Sequence, residues 1–595
     1  MKPKQQKLTI ARALQMGVEH HRAGRLQEAE GVYLQVLKAA PGNPDALHLL
    51  GAIAHQAGKH EAALEWIDQA LRSQPENPVL LINRGNILQR LRRYDDAIAS
   101  YDKVLAVRPD HAGVLADRGN ALLVLGRCEQ ALASYERALA ITPDSFVALS
   151  NRGNALQDLW RYEEALASYD GALTLKPDYA EALNNRGLVL KALKRHEEAL
   201  GSYDQALAIK PDYVQALSNR GLVLEALNRY EESLASYDRA LAIDPGHAEA
   251  LSNRGNALKA LGRYGEALAS FDRALAIAPD YAEAHWNESL CRLLVGDFER
   301  GWKEYEWRWK WKHFTSARRT FSQPLWLGRE DVAGKTILLH AEQGLGDTIQ
   351  FCRYAKFVAG RGATVLLQVQ PQLQALLGGL EGVGRTLAFG EAVPDFDFHC
   401  SLMSLPLALG TRLDTVPCGI PYLFVEPRKR AAWESRLGPK RAPRIGLAWS
   451  GNPSHDNEPN RSVPLAMLLD AIPAGVELYG LQKEVRPADQ AVLDRRPDIL
   501  HFGENFVETA ALAMCMDLVI SVDTSIVHLA GALGRPVWLL LSASLDWRWL
   551  LEREDSPWYP TARLYRQGRA GDWAGVLERL RGDLSRWAEP GTETA

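Results

Sequence analysis

At 595 residues the chain is too long for a single module and predicts about three to five domains, or a long repeat array followed by domains. Hydrophobic residues at 47% and charged residues at 24% lie near globular averages, which excludes wholesale disorder, and a net charge of −4 carries no basic excess of the kind that drives binding to a phosphate backbone. Six dispersed cysteines without a CxxC pair argue against a disulfide framework or a zinc site. The start, Met1 to Lys7, lacks an apolar leader and no apolar run approaches the ~20 residues of a membrane span, so we expect a cytoplasmic protein without a membrane span and without a nucleic-acid partner.

From the N-terminus, prolines at positions 41, 75, 109, 143, 177, 211, 245 and 279 recur every 34 residues. Gly17, Gly51, Gly85, Gly119, Gly153, Gly187, Gly221 and Gly255 keep the same period, as do Ala29, Ala63, Ala97, Ala131, Ala165, Ala199 and Ala267, with Ser233 as the one substitution. The pattern resembles the tetratricopeptide repeat and implies eight units from Ile10 to Tyr281. Apolar residues fall at helical spacing from Ala180 to Leu193 and again from Glu197 to Ile209, with a short Lys194–His196 turn between, so each unit reads as a helical hairpin. Gly187 and Ala199 are expected to let the two helices approach, Tyr203 to fill the gap between neighbouring hairpins, and Pro211 to stop the second helix. Stacked hairpins bury what one alone cannot, so residues 1–281 should form a superhelical solenoid with a groove lined by the first helices. Residues 282–327, rich in tryptophan at 286, 302, 307, 309 and 311, read as a degenerate capping repeat and linker.

Two residues before the repeat glycine stands an asparagine in most units: Asn83, Asn151, Asn185, Asn219, Asn253 and, at the equivalent place, Asn287, with Asp117 in the remaining central unit. Such a ladder of amides could donate to and accept from an extended polypeptide backbone, or could simply tie adjacent helices together. The ladder is similar to that in the tetratricopeptide arm of the eukaryotic protein O-GlcNAc transferase, and this likeness implies a protein acceptor in the groove. Tyr101, Tyr135, Tyr169, Tyr203, Tyr237 and Phe271 read as packing residues.

Beyond Gly328 the period vanishes and short apolar runs alternate with helical stretches, which predicts α/β structure in two successive Rossmann-like lobes, 328–430 and 431–595, the second ending in a helix. Strands are expected at Thr336–Ala341, Ala363–Val369, Phe396–His399, Arg444–Trp449, Val476–Leu481, Ile499–Phe502, Leu518–Val522 and Val537–Leu541, with a glycine turn from Glu342 to Asp347 and a helix from Thr348 to Ala359. A cleft at the carboxyl ends of both sheets is the expected ligand site.

Three loops there carry candidate chemistry. Gly344-Leu-Gly346-Asp347 presents a carboxylate at a helix start, where it could also be a cap. Asp523-Thr524-Ser525-Ile-Val-His528 follows a strand and enters a helix, a setting suited to a diphosphate. Ser450-Gly-Asn452-Pro, with Arg461 a few residues on, adds polar groups and a cation. As a set, with Trp547-Arg-Trp-Leu-Leu, these motifs resemble the GT-B glycosyltransferases of the heptosyltransferase type, and the bacterial proteins that join tetratricopeptide repeats to such a domain, including flagellin glycosyltransferases. The resemblance runs from about Trp326 to Trp573. It implies a glycosyltransferase that uses a nucleotide-sugar as substrate and needs no cofactor or metal, and it suggests flagellin as the protein acceptor. Asp347 would be the general base and Gly346, Asn452, Arg461, Asp523, Thr524, Ser525 and His528 the donor site, with Arg461 in a region where heptosyltransferases carry lysine. Asp395-Phe-Asp397 is formally a DxD, but a strand start explains it. Trp547, Trp549, Trp558 and Tyr559 could stack on a ligand or pack between lobes. The alternatives are a lipid or polysaccharide acceptor, or a tetratricopeptide scaffold with a degenerate α/β half.

Overall fold

The computed structural model describes residues 9–316, 318–451 and 458–588. It divides into two compact units, Met1–Asn253 and Arg254–Ala595.

The first unit is a tetratricopeptide solenoid of helix pairs such as Ala180–Ala192 with His196–Ile209. The turn between the two helices needs one residue in the left-handed region. Gly24, Gly58 and Gly126 supply it at φ 71 to 76°, but Arg92, Trp160, Lys194 and Asn228 adopt φ 58 to 62° at the equivalent place. Such a residue costs about 1–2 kcal/mol, against about 0.4–1 kcal/mol that glycine loses through its freer unfolded chain. Lys194→Gly is therefore expected to raise the stability of the array by about 0.5–1 kcal/mol in urea unfolding.

A Cβ added at Gly187 would lie 2.6 Å from the Tyr203 ring, and Gly85, Gly119, Gly153 and Gly221 meet Tyr101, Tyr135, Tyr169 and Tyr237 in the same way. Each tyrosine ring thus fills the hole that a glycine leaves in its own hairpin. The hydroxyls of Tyr101, Tyr135 and Tyr169 donate to Asn86, Asn120 and Asn154 of the same repeat at 2.6–2.7 Å. A clasp that repeats with the sequence crosses between repeats. Arg84, Arg118, Arg186 and Arg220 donate through Nε to Asp68, Asp102, Asp170 and Asp204 of the preceding repeat. Each also donates through a terminal nitrogen to Ser100, Ser134, Ser202 or Ser236 of its own repeat.

The second unit opens within the helix Ala248–Ala260 and continues through Tyr264–Ile277 to the capping hairpin, Ala282–Leu294 with Phe298–Tyr305, and a 3-10 turn at Glu306–Trp309. Two parallel sheets follow. The first joins β1 (Thr336–His340), β2 (Thr364–Val369), β3 (Arg385–Ala388) and β4 (Phe398–Ser401) in the order β3-β2-β1-β4. The second joins β5 (Arg444–Ala448), β6 (Glu477–Gly480), β7 (Leu500–His501), β8 (Leu518–Val522), β9 (Val537–Leu541) and β10 (Ala562–Arg566) in the order β10-β9-β8-β5-β6-β7. The architecture is GT-B-like: two α/β lobes, each with its order reversing beside its first strand. That reversal opens a crevice between β1 and β4 in one lobe and between β5 and β8 in the other. The C-terminal helix Trp573–Trp587 closes the second lobe, burying Val576, Leu580 and Leu584 in the core that contains Ile445 and Leu447.

Trp547, Trp549, Trp558 and Tyr559 are all buried. Trp302 of the cap meets Trp547 edge-on at 5.1 Å, and Phe298 stacks on Trp558 at 6.1 Å, so these rings form the core that welds the cap to the α/β domain. Among the described residues no helix is long and apolar enough to cross a membrane.

Candidate active site

The turn after β1 is held from several sides. Arg308, fully buried in the 3-10 turn of the cap, forms two parallel bonds of 3.0 Å to the Glu342 carboxylate. Its remaining donors reach Glu306 at 2.7 Å, Ser401 at 3.0 Å, Ser404 at 2.8 Å and the Tyr305 carbonyl at 3.1 Å. Gln343 donates to the Tyr305 hydroxyl and its carbonyl accepts from Gln370. The turn ends at Gly344, earlier than the sequence suggests, and the helix starts at Leu345 and runs in three pieces, Leu345–Phe351, Cys352–Tyr354 and Ala355–Ala359. Asp347 therefore sits in the first helical turn, where its Oδ2 accepts the Gly344 N–H at 2.9 Å. It is a cap, and it is also more than a cap, because its Oδ1 accepts from Arg548 of the other lobe.

The facing element is the helix Ser525–Ala532, which starts where β8 ends. Thr524 caps it, its hydroxyl accepting the Ile526 N–H at 3.3 Å, with Ser525 as the first helical residue. Gly346 is the point of closest approach, since a Cβ there would come within 2.8 Å of the His528 ring and 3.5 Å of the Ser525 backbone. His528 is buried, donating or accepting through Nδ1 at 3.0 Å from the Tyr559 hydroxyl and lying parallel to Trp549. Burial, with Arg548 and Arg353 nearby, keeps its imidazole neutral. His528 thus packs at the junction of the two helices. Asn452 lies outside the described residues. The loop before it is pinned by Gln482, which accepts the Trp449 and Ser450 N–H groups at 3.1 and 2.9 Å. Arg461 is half-buried near Asp523, its pKa lowered by burial and raised in part by that carboxylate.

Arg548 is the residue that sequence reasoning did not single out, although Trp547-Arg-Trp lies in a motif it used. The guanidinium is buried in the crevice, donating to both oxygens of Asp546 at 3.1 and 2.9 Å, to Gln350 at 3.1 Å and to Asp347. Trp547 lies under it at 4.3 Å. Three carboxylates and two cations therefore converge where the lobes face each other: Asp347, Asp523 and Asp546 with Arg461 and Arg548. Burial, then the neighbouring Asp546, pushes the Asp523 carboxyl up to about 6, while Trp549, Arg548 and Arg461 oppose the shift. The Trp549 N–H lies near that carboxyl without meeting hydrogen-bond geometry.

A raised carboxyl binds its proton more tightly in the folded chain. Its cost to stability is absent below the ordinary aspartate range near 3.9 and grows as pH rises through about 6. Asp523→Asn is expected to stabilise the protein at pH 7.5 and to lose that advantage near pH 4, as melting at the two pH values will read.

Among the described residues, His285, Glu288 and Glu304 bring possible metal-ligand atoms within 4.8 Å of one another in the cap. Each is already engaged: His285 bonds Glu304 at 2.5 Å and the Pro279 carbonyl at 2.9 Å, and Glu288 holds Arg292 at 2.5 Å. Asp397 accepts the Thr336 N–H at 2.8 Å, which places the DxD at the amino ends of β1 and β4, opposite the crevice.

In the solenoid the asparagines are tied to neighbours. Asn151 and Asn185 donate to Asn120 and Asn154 of the preceding repeat at 2.9 and 3.0 Å, Asn219 to Asn184 at 3.0 Å, and Asn83 lies 2.6 Å from His48. Asn253 is buried, and Asn287 in the cap is half-buried.

These features define a tetratricopeptide array followed by a GT-B-like domain. Residues 14–78 and 82–146 match one tetratricopeptide-repeat family model and residues 144–212 and 212–280 another. Residues 504–547, which contain Asp523 to His528, match the model of glycosyltransferase family 9 (heptosyltransferase). Protein FlbA of Caulobacter vibrioides (strain ATCC 19089 / CIP 103742 / CB 15) is 25% identical over 322 residues, covering 48% of this chain and 52% of FlbA, so the chain spans about half the length of that curated relative. Among solved structures, YrrB, described as a tetratricopeptide protein with an unusual peptide-binding site, is 26% identical over 31% of this chain and 95% of its own, with a TM-score of 0.28. MamA 41-end from Desulfovibrio magneticus RS-1 is 22% identical over 29% of this chain and 96% of its own, with a TM-score of 0.28. The repeats and the family 9 match together support a tetratricopeptide-containing glycosyltransferase.

Proposed function

We propose that this protein transfers a sugar from a nucleotide-sugar to Ser or Thr hydroxyls of a protein held by its tetratricopeptide arm, flagellin being the acceptor to try first. What supports the reading most is the meeting of two strand-end loops: the Leu345–Phe351 helix start with Asp347, and the Ser525–Ala532 helix start with Asp523, packed against each other at Gly346. The second supplies the donor side, where helix N–H groups and Arg461 suit a phosphate. The first supplies the base: the Asp347 carboxylate takes the proton of the acceptor hydroxyl as its oxygen bonds to the anomeric carbon, while the nucleotide leaves with the electrons of the broken sugar–phosphate bond and Arg461 balances the charge. The metal independence of this step rests on Arg461.

Incubation of the full chain with a panel of nucleotide-sugars, followed by thermal melting and assay of hydrolysis, tests the donor side. At least one donor should protect the wild-type protein. Asp523→Ala should weaken that binding by at least about tenfold, the equivalent of ~1.4 kcal/mol. Equal affinity in the folded variant would remove Asp523 from the donor site, and a lack of protection by every donor would remove the activity.

A further inference from the structure

We propose that Arg548 is a phosphate ligand held in reserve. It masks Asp347, and the nucleotide phosphate draws it away, so donor binding is what frees the base. The inference rests on the donor-site reading above and extends it to a residue and an order of events.

Arg548 belongs to the second lobe, anchored there by both oxygens of Asp546 and by its own N–H, which Asp546 accepts at 2.8 Å. Its other two links cross to the first lobe, to Asp347 and to Gln350 at 3.1 Å. Asp347 in turn has one oxygen on the Gly344 N–H and the other on Arg548. A carboxylate held by two charge-assisted donors is poorly placed to accept a third proton from a hydroxyl. The guanidinium also acts on Asp523 and His528 at the helix start where a phosphate would be received. An arriving diphosphate offers the planar guanidinium anionic oxygens that it can meet with two parallel bonds. The Asp546 links need not break, because they belong to the same lobe, so only the two bonds to the first lobe are exchanged. Phosphate comes first and the base is released second, so the base is free only when a donor is in place.

The exchange makes opposite predictions for two variants. A ligand that must separate Arg548 from Asp347 binds more weakly by the cost of that separation, so loosening the pair strengthens binding. With UDP, GDP, CDP, ADP and dTDP as probes, titrated by calorimetry against the full chain, the nucleotide that binds should bind about three- to tenfold more tightly to Asp347→Asn and at least about tenfold more weakly to Arg548→Gln. The corresponding nucleoside without phosphate should not distinguish the variants. Arg548→Lys should recover part of the loss, having the charge without the fork. Weaker or unchanged binding by Asp347→Asn, with its melting curve intact, would overturn the inference even if Arg548→Gln fails to fold, and wild-type affinity in a folded Arg548→Gln would do the same. If no nucleoside diphosphate binds the wild-type protein, the donor site falls with it, whereas binding without this pair of opposite shifts sinks only the role of Arg548.

Discussion

Asp347→Asn is expected to lower sugar transfer by roughly 10² to 10⁴ while leaving the protein folded and able to bind donor. Asparagine keeps the size of the side chain and an oxygen that can accept the Gly344 N–H, so the start of the Leu345–Phe351 helix stays capped. What it loses is an oxygen that can take a proton. The substitution therefore separates the two jobs that the structure assigns to one carboxylate, closing the helix and meeting Arg548, from the third job proposed for it. Turnover of a protected donor found in the binding screen, measured with and without protein acceptor, reads the effect. Near-normal transfer would reduce Asp347 to a cap and an ion-pair partner, and the base would have to be sought elsewhere in the crevice.

How much of this was open to the sequence follows from how local each interaction is. A hairpin is specified within 34 residues, so Gly187, Tyr203 and Pro211 announce it, and even the arginine clasp is written in phase with the repeat. What the period does not spell out is the tyrosine's glycine partner, which lies in its own hairpin. In the α/β half, the inner strands β1, β2, β5, β8 and β9 are apolar on both faces and stand out as runs, β1 being Thr336-Ile-Leu-Leu-His and β9 Val537-Trp-Leu-Leu-Leu. β3 and β10 were not foreseen. They are the edges of their sheets and carry Arg385, Arg563 and Arg566 among their apolar residues, so they show no continuous run. The strand-end loops were legible because glycines and hydroxyls mark them. Arg548 was not, because its meaning comes from a carboxylate 201 residues away, and no local pattern encodes that encounter.

The same reasoning applies to Arg308, and the largest loss of stability is expected there. Arg308→Met should cost about 3–5 kcal/mol, since it strands the Glu342 carboxylate in the interior and removes the cation that offsets Glu306. Burial, and to a lesser extent Glu306, raises the pKa of Glu342, and Arg308 is the first of the groups that pull it back. Without the arginine the carboxyl must take up a proton to remain buried, so the destabilisation should be larger at pH 8 than at pH 5. Arg308→Met with Glu342→Gln removes the stranded charge as well as its partner and should recover part of the loss, the non-additivity that marks a direct pair. Denaturant unfolding of the full chain, followed by tryptophan fluorescence that reports mainly on the aromatic core of the cap and lobes, measures all three. A single variant as stable as the wild type, or a double variant no better than the single, would mean that the cap is joined to the turn after β1 by its aromatic packing alone. If the expected order is found, the charge in the cap is what fixes Glu342, and through it the backbone that leads to Gly344 and Asp347.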